Sequence, residues 1–195
     1  MKTKPPPLLP LLRSAHQAEI LTRLLLAPQE SLSLTDLAHQ TRASLATVQR
    51  EVERAEAAGL VRSERVGPTR LVGADLSSPL YRPLADLLLV AFGPVPVVTD
   101  ELAAIPGVDE AYLFGSWAAR YSGESGTAPD DVDVLVIGEP DRDAVSGAAD
   151  RAERRLHRPV QITLRGAEEW ADGDEPSIAA LRGQPLVRLA LAGDR

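Results

Sequence analysis

Asp131 and Asp133 stand one residue apart at the head of the apolar run Val134–Ile137. Side chains alternate across a β-strand, so on a strand these two carboxylates point the same way. Convergent carboxylates are the hard oxygen ligands that magnesium takes. Upstream, Tyr112-Leu113-Phe114 runs into Gly115-Ser116, with Arg120 soon after. Glycine lets backbone approach a phosphate, and a hydroxyl at the positive end of a helix can donate a hydrogen bond to one. Together these residue types suit metal–phosphate chemistry: Gly115, Ser116 and Arg120 toward phosphate, Asp131 and Asp133 toward a metal.

The elements that must position these groups follow from the pattern of the chain. Strands are expected at 108–114, 131–137 and 159–164, and helices at 116–121 and about 142–156. Alternating elements around short apolar strands predict a small α/β domain. Trp170 reads as a core anchor, and Leu186–Leu191 as a last strand or helix end. Ser122–Pro129 reads as a flexible loop over the site. Arg151, Arg154, Arg155 and Arg158 form a basic cluster that could hold phosphate or simply line a solvated helix face.

The first part of the chain has a different pattern. A helix is expected from Ser14, as cap, to about Ala27, with Ile20, Leu21, Leu24 and Leu25 on one stripe. A short helix fits Thr35–Gln40. Ser44 then caps a third, Leu45–Ala58, which stops at Gly59. Leu45, Val48, Val52 and Ala55 form its expected buried stripe, and Thr47, Gln49, Arg50, Glu53 and Arg54 lie opposite. Next comes a hairpin, Leu60–Val66 and Thr69–Val72 about the Gly67-Pro68 turn, with Arg62, Arg65 and Arg70 in or beside it. Three short helices and a basic hairpin is the order of a winged helix-turn-helix. Beyond it, Leu84, Leu87, Leu88 and Phe92 run along an apolar helix suited to core packing or to a dimer interface, and a second helix spans about Val95–Ala104.

Bulk properties separate the two parts further. The 195 residues carry 21 Lys+Arg against 28 Asp+Glu, a net charge of −7. Residues 1–75 hold 10 basic and 8 acidic side chains, a balance of +2, which leaves −9 for residues 76–195. Such asymmetry predicts parts with different partners. The absence of cysteine excludes disulfides, thiolate zinc sites and thiol chemistry. No apolar run approaches the roughly 20 residues of a membrane span. The basic, proline-rich start MKTKPPPLLPLLR lacks a small-residue cleavage site. It is expected to be a flexible arm on a cytoplasmic protein.

The stretch LTDLAHQTRASLATVQREVERAEAAGLVRSERVGPTRLV resembles the winged-helix domains of arsenic-repressor-like bacterial regulators, over about residues 14–73. The resemblance implies binding to double-stranded DNA with Leu45–Ala58 in the major groove. Thr47, Gln49 and Arg50 are then placed near base edges, with Arg54, Arg65 and Arg70 suited to phosphates. Dimerisation is common among such proteins, so a homodimer is expected.

Phe-Gly-Ser followed by Asp-x-Asp resembles the nucleotidyltransferase superfamily that includes DNA polymerase beta, closest to its small bacterial members, over about residues 105–165. The resemblance implies two divalent metals, usually magnesium, on Asp131 and Asp133. About 3.5–4 Å apart, they would stabilise the attacking and leaving oxygens of an in-line displacement. It also implies nucleotide phosphates at the Gly-Ser turn and a third acid on a neighbouring strand. This chain departs from that pattern. Asp130 replaces the usual serine, and the strand due to bring the acid reads Val160-Gln161-Ile162-Thr163-Leu164. A neutral side chain is no carboxylate base, so no residue is assigned as catalytic. Glu168 and Glu169 lie past the strand.

The expected organisation is therefore α+β and multidomain. It has a flexible arm (1–13), a winged helix-turn-helix (14–75), a helical linker (76–104) and a small α/β nucleotidyltransferase-like domain with a mixed sheet (105–195). The expected function is a DNA-binding transcriptional regulator whose second domain senses nucleotide or metal, or binds a protein partner. One alternative is a magnesium-dependent nucleotidyltransferase, antitoxin-like, acting on a protein, RNA or small molecule. Another is a non-catalytic interaction module.

Overall fold

A computed structural model describes residues 12–124, 128–173 and 175–191. Most of the expected arm and the centre of the expected 122–129 loop lie outside the described residues. The fold is mixed α+β, with one three-stranded antiparallel sheet and one four-stranded mixed sheet. The chain divides into two compact units, Met1–Gly93 and Pro94–Arg195.

In the first unit, α1 (Ala15–Leu25) starts where the Ser14 side chain accepts a hydrogen bond from the Gln17 N–H, and it buries Ile20, Leu21, Leu24 and Leu25. A short strand β1 (Leu32–Ser33), absent from the sequence expectation, precedes α2 (Leu34–Gln40). Two residues are too few to show a period-two pattern; β1 exists through its pairing with a distant strand. Ser44 caps α3 (Leu45–Ala57) by accepting from the Thr47 N–H. The helix ends as expected at Gly59, whose φ of +67° is cheap only without a β-carbon. Strands β2 (Val61–Val66) and β3 (Thr69–Ala74) form the hairpin, and the sheet order is β1-β3-β2. Then α4 (Tyr81–Phe92) packs on α1, with the Tyr81 hydroxyl donating to the Leu25 carbonyl at 3.2 Å.

Two apolar positions differ from the expected stripes. Leu45 is 52% exposed and Leu87 55% exposed. Leu45 opens its helix, ahead of the turn that meets the core. On α4 the buried side is set by Ala85, Leu88, Leu89 and Ala91, which turns Leu87 and Val90 to solvent.

The second unit begins with α5 (Pro94–Leu102), which packs on α7 (Arg142–Leu156). The helices expected within 76–104 thus pack in different units. Contrary to the expectation that no apolar run approaches a membrane span, the stretch Tyr81–Leu102 is long and apolar enough to cross a membrane, with 44% of its most apolar window buried in the fold. The sheet comprises β4 (Val108–Phe114), β5 (Val132–Gly138), β6 (Val160–Arg165) and the edge strand β7 (Val187–Arg188), in the order β6-β5-β4-β7. β5 pairs antiparallel with β4 and parallel with β6, and α7 provides the crossover. Between β4 and β5 lies α6 (Gly115–Tyr121). Val132, Val134 and Val136 are buried on one face of β5; Leu135 and Ile137 are buried on the other, against Tyr112, Phe114, Trp170 and Leu181. Trp170, on α8 (Ala167–Asp172), lies 6.1 Å from the Tyr112 ring, in the anchoring place expected of it. A last helix, α9 (Pro176–Arg182), supplies Leu181.

Candidate functional site

Asp133, Leu135 and Ile137 share one face of β5 by strand alternation. Asp131 lies one residue ahead of the strand, which begins at Val132 rather than at 131 as expected. The aspartates therefore sit at the N-terminal end of the face that is apolar further along. In the ladder Asp133 lies opposite Phe114 of β4 and beside Gln161 of β6. Gly115 follows immediately, turning from strand to helix with a φ of +67°. A β-carbon there would lie 2.8 Å from Asp133 Oδ2. The structure thus brings Gly115 and Asp133 into contact. Burial, and then the charge of Asp131, raise the Asp133 carboxyl above the ordinary aspartate value. Ser116 is exposed on the first turn of α6.

The third position is filled by an amide. Gln161 Nε2 donates to Asp131 Oδ2 at 3.0 Å. No group of three or more His, Cys, Asp or Glu side chains able to hold a metal occurs among the described residues. Asp131 and Asp133 thus supply two carboxylates, and one already serves as acceptor for a neutral donor. This set does not fit the two-metal, three-carboxylate arrangement that the Asp-x-Asp resemblance implies. Glu169 is committed elsewhere: it accepts from the Gly166 N–H at 3.2 Å and lies 3.5 Å from Arg165.

Several arginines of this unit are tied into the fold. Arg120 stacks over the Trp117 ring at 5.6 Å, and its Nη1 is buried with no hydrogen-bond partner among the described residues. Arg158 lies 5.9 Å from the same ring and donates to the Pro129 carbonyl at 2.7 Å. Arg151 and Arg155 both bind Glu101 of α5, at 2.6 and 2.8 Å, and Arg155 also reaches Asp100 at 3.2 Å. Arg151 and Arg155 thus join α7 to α5, while Arg154 is exposed on α7. Burial raises the Glu101 carboxyl, but the hydrogen bonds from Arg155 and Arg151 outweigh it and hold the group below its ordinary value.

The second group of candidates lies on α3 and the hairpin. Thr47 is half-buried, its hydroxyl 2.9 Å from Ser44 Oγ. Gln49 is exposed and donates to Glu53 at 3.0 Å. Arg50 on α3 and Arg65 near the hairpin tip are exposed, with no ion pair or hydrogen bond from their side chains among the described residues. Arg54 and Arg70 differ from the expectation of available phosphate-binding cations. Arg54 pairs with the buried Glu51 at 2.5 Å. Arg70 pairs with Glu56 at 2.6 Å and donates to Ser63 at 2.9 Å; Ser63 in turn bonds Glu56. The Glu56 carboxyl is raised by burial, but its hydrogen bonds to Ser63 and Arg70 bring it below the ordinary value. The sequence reading missed Glu51 and Glu56. Glu51-x-x-Arg54 is legible as an i,i+3 pair; Glu56–Arg70 joins a helix to a strand and has no local signal.

No family model matches the chain, and no curated protein matches it. Among solved structures it is similar to a mutant of Lactococcus lactis ZitR at 17% sequence identity, over 53% of this chain and 63% of that one, with a TM-score of 0.37. The chain thus spans less than two thirds of that protein, and at that score the likeness assigns neither fold nor function.

Proposed function

We propose that the protein is a transcriptional regulator that reads double-stranded DNA with α3. The observation that carries this reading is the solvent face of α3, where Gln49 and Arg50 stand together and Arg50 has no partner among the described residues to give up. Arginine reads guanine through paired donors to O6 and N7. The element order of residues 15–74, three helices and an antiparallel hairpin with the exposed Arg65 near its tip, supports assigning 14–75 as a winged helix-turn-helix. In this reading Thr47, Gln49 and Arg50 face base edges and Arg65 a phosphate. Arg54 and Arg70 reach phosphates only by leaving Glu51 and Glu56. Selection from a random duplex library is the test; recovery of no preferred sequence would remove the proposal.

The second unit serves, in this proposal, as a nucleotidyltransferase-like domain (105–195) that binds without catalysing. Gln161 on Asp131 favours binding over chemistry. Its ligand is a nucleotide at Gly115-Ser116 or a protein partner. The regulator works as a homodimer, for which the exposed Leu87 and Val90 of α4 are the natural seam. Sedimentation of the intact protein should give twice the mass of one chain, and Val90→Glu should halve it. A monomer before the change would discard the dimer.

A further inference from the structure

We infer that Gln161 is the residue that closes the Asp131–Asp133 pair to divalent cations, and that one change, Gln161→Glu, converts these strand ends into a cation site. The inference concerns the second unit alone and does not depend on DNA binding.

Three observations carry it. The parallel register sets Gln161 beside Asp133, so its side chain emerges at the carboxylate pair. Its Nε2 lies 3.0 Å from Asp131 Oδ2 and donates to it. That separation has a geometric meaning. Two oxygens bound side by side on an octahedral cation with metal–oxygen distances of about 2.1 Å are roughly 3.0 Å apart. The amide nitrogen therefore stands where a ligand oxygen would stand, and it presents a proton in place of a lone pair. Glutamate has the same length and branching as glutamine. It would place an oxygen at that point and bring the cluster to three carboxylates, with the negative charge a hard dication requires. Gln161 is exposed, so the exchange leaves the core untouched. Without a cation, the three carboxylates repel one another, and binding a dication relieves this.

Manganese(II) is the probe, because its free form is counted directly by electron paramagnetic resonance. The intact protein is titrated as wild type, as Gln161→Glu, and as Gln161→Glu combined with Asp131→Asn. The wild type should bind no manganese below about 1 mM, within the range of weak carboxylate sites. Gln161→Glu should bind at least about tenfold more tightly, a difference lost again in the double variant. Manganese binding by the wild type as tight as by Gln161→Glu overturns the inference, and so does a folded Gln161→Glu protein that binds none. Should that variant not fold, the wild type decides: saturable manganese binding below about 1 mM that Asp131→Asn abolishes would overturn the closure.

Discussion

Gly115 and Asp133 constrain each other. A side chain at 115 would be strained by the positive φ and would push into the Asp133 carboxylate. Gly115→Ala should cost about 1–2 kcal/mol of stability, from a left-handed residue that has gained a β-carbon, read as a lower urea midpoint. An unchanged midpoint would mean the turn is not formed as described. Asp133 carries a pH signature. Its carboxyl is raised by burial and by Asp131, so its neutral form suits the fold better than its charged form. The stability it contributes is full below the ordinary aspartate pKa and is lost as pH rises through the raised value. Asp133→Asn, which imitates the neutral form, should therefore raise Tm at pH 7, and the gain should shrink as pH falls through the carboxylate range. A lower Tm at pH 7 would show that the charged form is the one the fold favours. The positions of Asp131, Asp133 and Gly115 were legible because strand alternation and glycine's conformational range are local properties. The hydrogen bond from Gln161 to Asp131 was not. It joins residues 30 apart and depends on the register of two parallel strands, which hydrophobic patterning leaves open.

Among the elements, the hairpin and α3 are joined by charges that the sequence reading assigned to DNA. Glu56 holds Arg70 and bonds Ser63, bracing the end of α3 against β2 and β3. Removing it has two expected effects. Glu56→Gln should lower stability by about 0.5–1 kcal/mol, since the pair is partly exposed. It should also free Arg70, so that DNA affinity falls more steeply with salt, by close to one unit in the log–log slope. Anisotropy titrations across salt concentrations measure this, and an unchanged slope would place Arg70 away from the phosphates. The depressed Glu56 carboxyl has the opposite pH sense to Asp133: its contribution is present above the ordinary glutamate value and is lost as pH falls through the lowered one. Helical periodicity located the elements well, and Ser14, Ser44 and Gly59 marked their ends. It failed at Leu45 and Leu87 because period fixes a stripe but not where the core begins along it or which flank it covers. Strand β1 was hidden because its pairing with β3 is long-range.

For the molecule as a whole, charge follows function in the proposed reading. The weakly basic first part meets DNA, and the acidic second part, with Asp131 held by Gln161, Arg151 and Arg155 paired to Glu101 and Arg120 stacked on Trp117, meets a ligand or partner. A balance of only +2 over residues 1–75 predicts modest non-specific affinity and leaves much of the binding to base contacts. Arg50 then matters more than its single charge suggests. The most direct test is fluorescence anisotropy of the intact protein on its selected duplex and on a scrambled one, with and without Arg50→Ala. The account predicts a preference for the selected duplex that Arg50→Ala reduces by about 1–3 kcal/mol, with little change on the scrambled one. Equal binding of both duplexes by the wild type, or a preference that survives Arg50→Ala undiminished, would contradict it.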